Sequence, residues 1–190
     1  LDLLYPARRL WGRRLASCRL GSLEDHILQT PRQGDIPGYE VPQRFFNFVR
    51  TKDGKLLQDV ITHNALDILS MVSLFSTLVM KARQQPRQCC CPWEAQGLGT
   101  FYAQERLWFA AIQYFYRALQ LCKDSKLRKH IMGQLVTPYR RTGQWSIVEK
   151  IWLILAEDQE NIVPYEELAK YYEHTKKNLP AALVMTKRGL

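Results

Sequence analysis

The C-terminal half of the chain repeats one pattern of apolar, small and aromatic residues, and this repeat constrains the fold more than any other feature. Intervals of 37 and 33 residues separate Leu98, Leu135 and Leu168, and a tyrosine follows each leucine by four positions. A period in this range indicates pairs of antiparallel helices, because each pair can bury its apolar face only against the next pair. The pattern therefore predicts an α-solenoid.

The repeat resembles the tetratricopeptide repeat (TPR), whose period is about 34 residues. Small residues let two paired helices approach closely, and Gly99 and Ala111 occupy such positions, while Tyr102 and Phe115 are suited to fill the space beside them. We therefore expect TPR-like helical repeats over residues 93–190. The resemblance implies a surface that binds a protein or peptide partner. An unrelated array of helical hairpins is the alternative.

A polar, proline-bounded segment divides the chain. Residues 86–92 are predicted to be a linker between a first domain at residues 1–85 and the repeats. The segment includes three of the five cysteines, and an odd number with three adjacent is a poor disulfide framework, so reduced thiols and a cytoplasmic location are expected. The apolar run at residues 65–80 is interrupted by polar residues and looks too short to span a bilayer, so no membrane partner is expected.

The first domain is predicted to be mostly helical. Apolar residues recur at helical spacing from Leu56 to about Ala82, and no well-marked alternating strand appears outside residues 1–4. The whole chain, as given, is therefore predicted to be mostly α.

The residue pair with the clearest chemistry is His63 and Asp67. On a helix, residues four apart share a face, and a carboxylate beside an imidazole can hold a divalent metal and move a proton. The alternative needs no function, because Asn64 could cap a helix with Asp67 at its third position.

The sequence around this pair favours a catalytic role over a helix cap. Residues 1–28, 34–51 and 62–71 resemble the C-terminal part of the YprB-type ribonuclease H-like domain, a family in the DEDD exonuclease superfamily. The resemblance implies that residues 1–85 are the C-terminal helical part of an α/β ribonuclease H-like fold, whose N-terminal strands are missing here.

The same resemblance implies a metal-dependent exonuclease that uses two Mg²⁺ or Mn²⁺ ions. Asp67 matches the last of the four acidic metal ligands of the superfamily, and His63 matches the residue that assists the attacking water. The spacing departs from the family, which places a histidine five residues or a tyrosine four residues before that acid. The earlier acidic motifs are absent, so we expect a complete metal site only in a longer protein and no activity from this chain alone.

A group of arginines near the N-terminus is the predicted nucleic-acid contact. The chain has 27 basic and 18 acidic residues, so its net charge of +9 suits an anionic partner. Arg8, Arg9, Arg13 and Arg14 are predicted to contact the phosphates of single-stranded DNA or RNA, with Trp11 stacking on a base. The alternative is a solvated helix face with Trp11 packed inward.

Two functions follow from these observations. In the first, the chain belongs to an exonuclease-like protein that hydrolyses phosphodiester bonds and carries a TPR interaction tail. In the second, a degenerate nuclease-like fold and the repeats form a non-catalytic platform that binds other proteins.

Overall fold

The computed structural model describes residues 2–158 and 161–189. No strand is present in these ranges, and helices account for most of them, so the prediction of a mostly α chain is confirmed. The chain separates into two compact units, Leu1–Gln84 and Gln85–Leu190.

The first unit contains four α-helices joined by short helical turns. Their bounds are Leu4–Trp11 (α1), Leu20–Leu23 (α2), Val41–Thr51 (α3) and Lys55–Arg83 (α4), with a π-helical turn at Glu24–Leu28 and a 3₁₀ turn at Gly38–Glu40. The strand considered for residues 1–4 is not formed by residues 2–4, because Leu4 already begins α1, and Leu1 lies outside the described residues. Helices α2 and α3 and the π-helical turn all pack against α4, which therefore organises the unit.

Helix α4 agrees with the predicted helix from Leu56 to about Ala82 and runs for 29 residues. Only Val60, Leu74 and Leu78 are buried on it, whereas other large apolar side chains are exposed, namely Ile61, Ile68, Leu69, Met71, Val72, Phe75 and Met80. The argument that this stretch is too short to span a bilayer was wrong, because the helix continues beyond residues 65–80 at both ends. By length and composition α4 could cross a membrane, a criterion that core helices of soluble proteins also meet.

The second unit is a succession of helices, each packed against the next. Their bounds are Pro92–Gln104 (α5), Trp108–Leu121 (α6), Ser125–Arg141 (α7), Trp145–Leu155 (α8), Val163–Lys170 (α9) and Leu179–Arg188 (α10), with a π-helical turn at Tyr171–Thr175. Ala111 is completely buried, and a Cβ atom at Gly99 would lie only 2.6 Å from the Phe115 ring. Two helices thus approach closely at the small residues of the repeat; the assignment to the TPR family stays a prediction.

The segment predicted as a linker is in the second unit. Pro86–Gln88 forms a 3₁₀ turn, and Cys89 is buried with its carbonyl accepting a 3.0 Å hydrogen bond from Arg117 Nε of α6. None of the five cysteines forms a disulfide.

Candidate functional site

His63 and Asp67 lie one turn apart on the same face of α4. His63 Nε2 is 3.6 Å from Asp67 Oδ2. Asn64 is well inside the helix, which begins at Lys55, so its interpretation as a helix cap was wrong. A capping pattern and an interior helical pattern look alike in sequence when the upstream residues also favour a helix.

Arg32 lies at the centre of the site and binds three carboxylates. Its Nε and Nη2 atoms donate to Glu24 Oε1, Nη1 donates to Asp35 Oδ2 at 2.7 Å, and Nη2 donates to Asp67 Oδ1 at 2.6 Å. Burial acts to lower the pKa of the Arg32 guanidinium, but the hydrogen bonds to Glu24, Asp35 and Asp67 outweigh it and raise the pKa above its usual range. Arg32 is therefore a permanent positive charge that joins three separate segments.

The backbone between the π-helical turn and α3 brings these groups together. Glu24 begins the π-helical turn, and its own carbonyl accepts a 3.0 Å hydrogen bond from the Thr30 amide. Gln29 ends the turn in the left-handed conformation, with φ of 56°, and the chain then turns back so that Arg32 faces Glu24. The Glu24 side chain is only 2% exposed, and a carboxylate this buried requires a countercharge.

Asp35 connects Arg32 to His63. Its Oδ2 atom accepts from Arg32 and is 2.8 Å from His63 Nδ1, and its Oδ1 atom accepts from the Ile36 amide at 2.9 Å. Burial acts to raise the pKa of the Asp35 carboxyl, but the hydrogen bonds from Arg32 and His63 outweigh it and lower the pKa below its usual range. Asp35 is thus an ionised, nearly buried carboxylate with a hydrogen-bond partner on each oxygen.

The cluster carries more negative than positive charge, because three carboxylates surround one guanidinium. Such an excess favours a cation, and Asp67, whose side chain is 34% exposed, is the most accessible of the three carboxylates. The described residues nevertheless contain no group of three metal-ligating side chains arranged around a common point. Asp67 Oδ1 is already bound to Arg32, so the part of the chain that the structure describes does not supply a two-metal site.

The predicted arginines are only partly brought together. Arg8 and Arg13 line one open groove beside α1, and Arg19 lines it too, whereas Arg9 and Arg14 are not among its lining residues. Trp11 is fully buried, so the prediction that it stacks on a base was wrong. The indole packs inward because it lies on the apolar face of α1.

Sequence reasoning found two of the five residues in the central cluster and missed Glu24, Arg32 and Asp35. These three are far from His63 in the chain, and no periodic pattern in the sequence links them to it. A buried glutamate is visible only once the fold is known.

Comparison with known proteins finds similarity to a family model in the first unit. Residues 1–79 match the family model of the RNase_H superfamily. The whole chain aligns at 28% identity over 195 residues with an uncharacterized protein, YprB, from Bacillus subtilis (strain 168), and spans 46% of that protein. No solved structure matches the chain significantly. The chain thus spans about half the length of the curated relative it matches, and its first 79 residues are similar to a ribonuclease H-like domain.

Proposed function

We propose that this chain is part of a metal-dependent, exonuclease-like protein that hydrolyses phosphodiester bonds, with His63 and Asp67 in its active site. The observation that carries the proposal is the position of both side chains on one face of α4, in a cluster with excess negative charge. This cluster lies within the residues that match the RNase_H superfamily.

In this proposal His63 Nε2 accepts a proton from a water molecule. Nε2 lies 3.6 Å from Asp67 Oδ2, too far for a direct hydrogen bond. A water molecule bound near both atoms loses a proton to Nε2 while its oxygen forms a bond to phosphorus. The ester P–O bond breaks, and the departing sugar oxygen takes up a proton from the solvent. The Asp67 carboxylate orients that water.

The metal ions, Mg²⁺ or Mn²⁺, would require further carboxylates from elsewhere in a longer protein. One exposed carboxylate cannot satisfy a near-octahedral ion. The exposed apolar side chains of α4 support this view, because contiguous apolar surface usually marks a place where another part of a protein packs.

The groove formed by Arg8, Arg13 and Arg19 is the proposed contact for single-stranded DNA or RNA. Three guanidinium groups along one groove suit a phosphate backbone. The second unit is proposed to be a TPR-like tail that binds a protein or peptide partner, in a cytoplasmic protein.

The second candidate function is a non-catalytic platform. The observation that favours it is the ion pair between Asp67 Oδ1 and Arg32, which occupies one oxygen of the proposed reactive carboxylate. In that case the cluster serves only to stabilise the first unit.

Hydrolysis by the longer protein that contains this chain separates the two functions. We expect Mg²⁺- or Mn²⁺-dependent degradation of a labelled single strand, and at least a hundredfold lower rate with Asp67→Asn, on the order of effects seen when a transition-state contact is lost. Asp59→Asn is the matched control, because Asp59 also lies on α4 and pairs with an arginine, Arg44. Equal activity of wild type and Asp67→Asn, or no activity in wild type, would contradict the enzymatic proposal.

Nucleic-acid binding has its own test. Replacing Arg8, Arg13 and Arg19 by Gln should weaken binding of a single strand and reduce its salt dependence. Arg50→Gln, an exposed arginine on α3, is the control. An unchanged salt dependence would exclude the groove as the phosphate contact.

A further inference from the structure

His63 is held from one side by a nearly buried carboxylate, and this contact determines which ring nitrogen faces Asp67. The Asp35 side chain is 9% exposed and the His63 side chain 13% exposed. The hydrogen bond between them joins Nδ1 to Oδ2 at 2.8 Å, whereas Nε2 points to Asp67.

The surrounding donors and acceptors fix the direction of that hydrogen bond. The Arg32 guanidinium can only donate, and it donates to the same Asp35 oxygen. An ionised carboxylate can only accept, so His63 Nδ1 must carry the hydrogen. The 3.4 Å approach of Arg32 Nη1 to His63 Nδ1 then brings two donors together and is not a hydrogen bond.

With Nδ1 protonated, the neutral imidazole has its lone pair on Nε2. Gly38 lies beside this atom: a Cβ atom there would be 3.8 Å from Nε2, so the glycine places no side chain against this edge of the ring. Nε2 is therefore the ring nitrogen that can accept a proton, and it lies 3.6 Å from Asp67 Oδ2.

We propose that Asp35 is a positioning residue for the hydrolytic reaction, which holds His63 by Nδ1–H and so presents a proton-accepting Nε2 beside Asp67. The proposal rests on the proposed function and adds a residue to it. Arg32 supports the arrangement, because it binds Asp35 Oδ2 and Asp67 Oδ1 at once and thereby fixes the two carboxylates on either side of the imidazole.

The first test reads the tautomer of His63 directly in this 190-residue chain. Long-range ¹H–¹⁵N correlation spectra, recorded above the pH at which the imidazoles titrate, distinguish Nδ1–H from Nε2–H. The chain has four histidines, and the signals lost in His63→Ala identify those of His63. We expect Nδ1–H in wild type and a shift towards Nε2–H in Asp35→Asn, because the amide can donate to Nδ1. Finding wild-type His63 in the Nε2–H form would overturn the proposal. This measurement is made on the wild-type chain, so it remains decisive even if Asp35→Asn does not fold.

The second test is the kinetics of the longer protein. Loss of a hydrogen bond that orients an active-site histidine costs about 10–100-fold in activity. For Asp35→Asn we expect a decrease of this size in kcat, with KM within about twofold of the wild-type value. Asp59→Asn, which also removes a carboxylate paired with an arginine, should leave kcat unchanged.

The outcomes separate this inference from the function on which it rests. Hydrolysis by wild type that is undiminished in kcat by a folded Asp35→Asn overturns the positioning role and leaves the proposed function intact. Absence of metal-dependent hydrolysis in wild type overturns the proposed function and, with it, the role of Asp35 in hydrolysis. A reduced kcat together with the shifted tautomer supports both.

Discussion

Removal of the Arg32 charge should destabilise the first unit more than removal of any exposed arginine. Arg32→Met keeps an unbranched side chain but leaves Glu24 and Asp35, 2% and 9% exposed, without their countercharge. Breaking a buried ion pair in this way costs about 3–5 kcal/mol. The contact with Asp67 adds little, because that carboxylate is one-third exposed and can be solvated.

This cost is large relative to the stability available. A unit the size of Leu1–Gln84 is stabilised by roughly 4–13 kcal/mol if it follows the average for globular proteins. We therefore expect Arg32→Met to open the first unit substantially.

Arg44→Met is the matched control. Arg44 also bridges two carboxylates, Glu40 and Asp59, but these are 39% and 56% exposed. Pairs of this kind contribute about 0–1 kcal/mol, so the control should unfold close to wild type.

The measurement is urea unfolding combined with hydrogen exchange, read on peptides from α1 and α4 so that the first unit is followed separately. We expect the exchange protection of these peptides to fall by the free energy lost in Arg32→Met and to change little in Arg44→Met. Replacing Glu24 by Gln should cost less in the Arg32→Met background than in wild type, because the charge it removes is then unpaired. A loss in Arg32→Met as small as in Arg44→Met would refute the argument from burial.

Other expected outcomes concern packing, acid stability and folding. Gly99→Ala should lower the stability of the second unit by about 1–3 kcal/mol, because its Cβ would meet the Phe115 ring, whereas Gly133→Ala, which meets nothing within 4 Å on α7, should raise it by about 0.5–1 kcal/mol; thermal melts distinguish the two. The lowered pKa of Asp35 contributes stability above the usual value of 3.8 that is lost as the pH falls below it, so Asp35→Asn should flatten the acid unfolding curve. Residues 85–190 alone should melt cooperatively as a helical unit, and a featureless melt would contradict this.

Local periodicity predicted where the helices lie better than it predicted which of their faces are buried. The apolar spacing from Leu56 onwards located α4, because a long helix is determined mainly by contacts within a few turns. The same pattern could not show that most of its apolar face is exposed, since exposure depends on what packs against it. The prediction for Trp11 was wrong for a similar reason. An aromatic residue between arginines suits either a nucleic-acid surface or a protein core, and only the fold determines which of the two it occupies.

Only part of the candidate site was predicted from the sequence, and the reason is different. His63 and Asp67 are four residues apart, so helical geometry alone placed them together. Glu24, Arg32 and Asp35 reach them through a π-helical turn and an irregular loop, whose path depends on the left-handed conformation of Gln29 rather than on any periodic pattern. Ion pairs formed over such distances in sequence are set by tertiary structure.

The burial of the three carboxylates also determines which of them can take part in chemistry. Glu24 and Asp35 are nearly inaccessible, and Asp35 has a hydrogen-bond partner on each oxygen. Asp67 is bound through Oδ1, but its Oδ2 atom lies 3.6 Å from His63 Nε2, so that one water molecule beside the pair can contact both atoms. Arg32 thus has a double effect: its charge permits two carboxylates to remain buried, and its geometry fixes the third at the surface. If hydrolysis takes place at this cluster, Asp67 is the carboxylate that meets the substrate, and Glu24 and Asp35 act through the residues they hold.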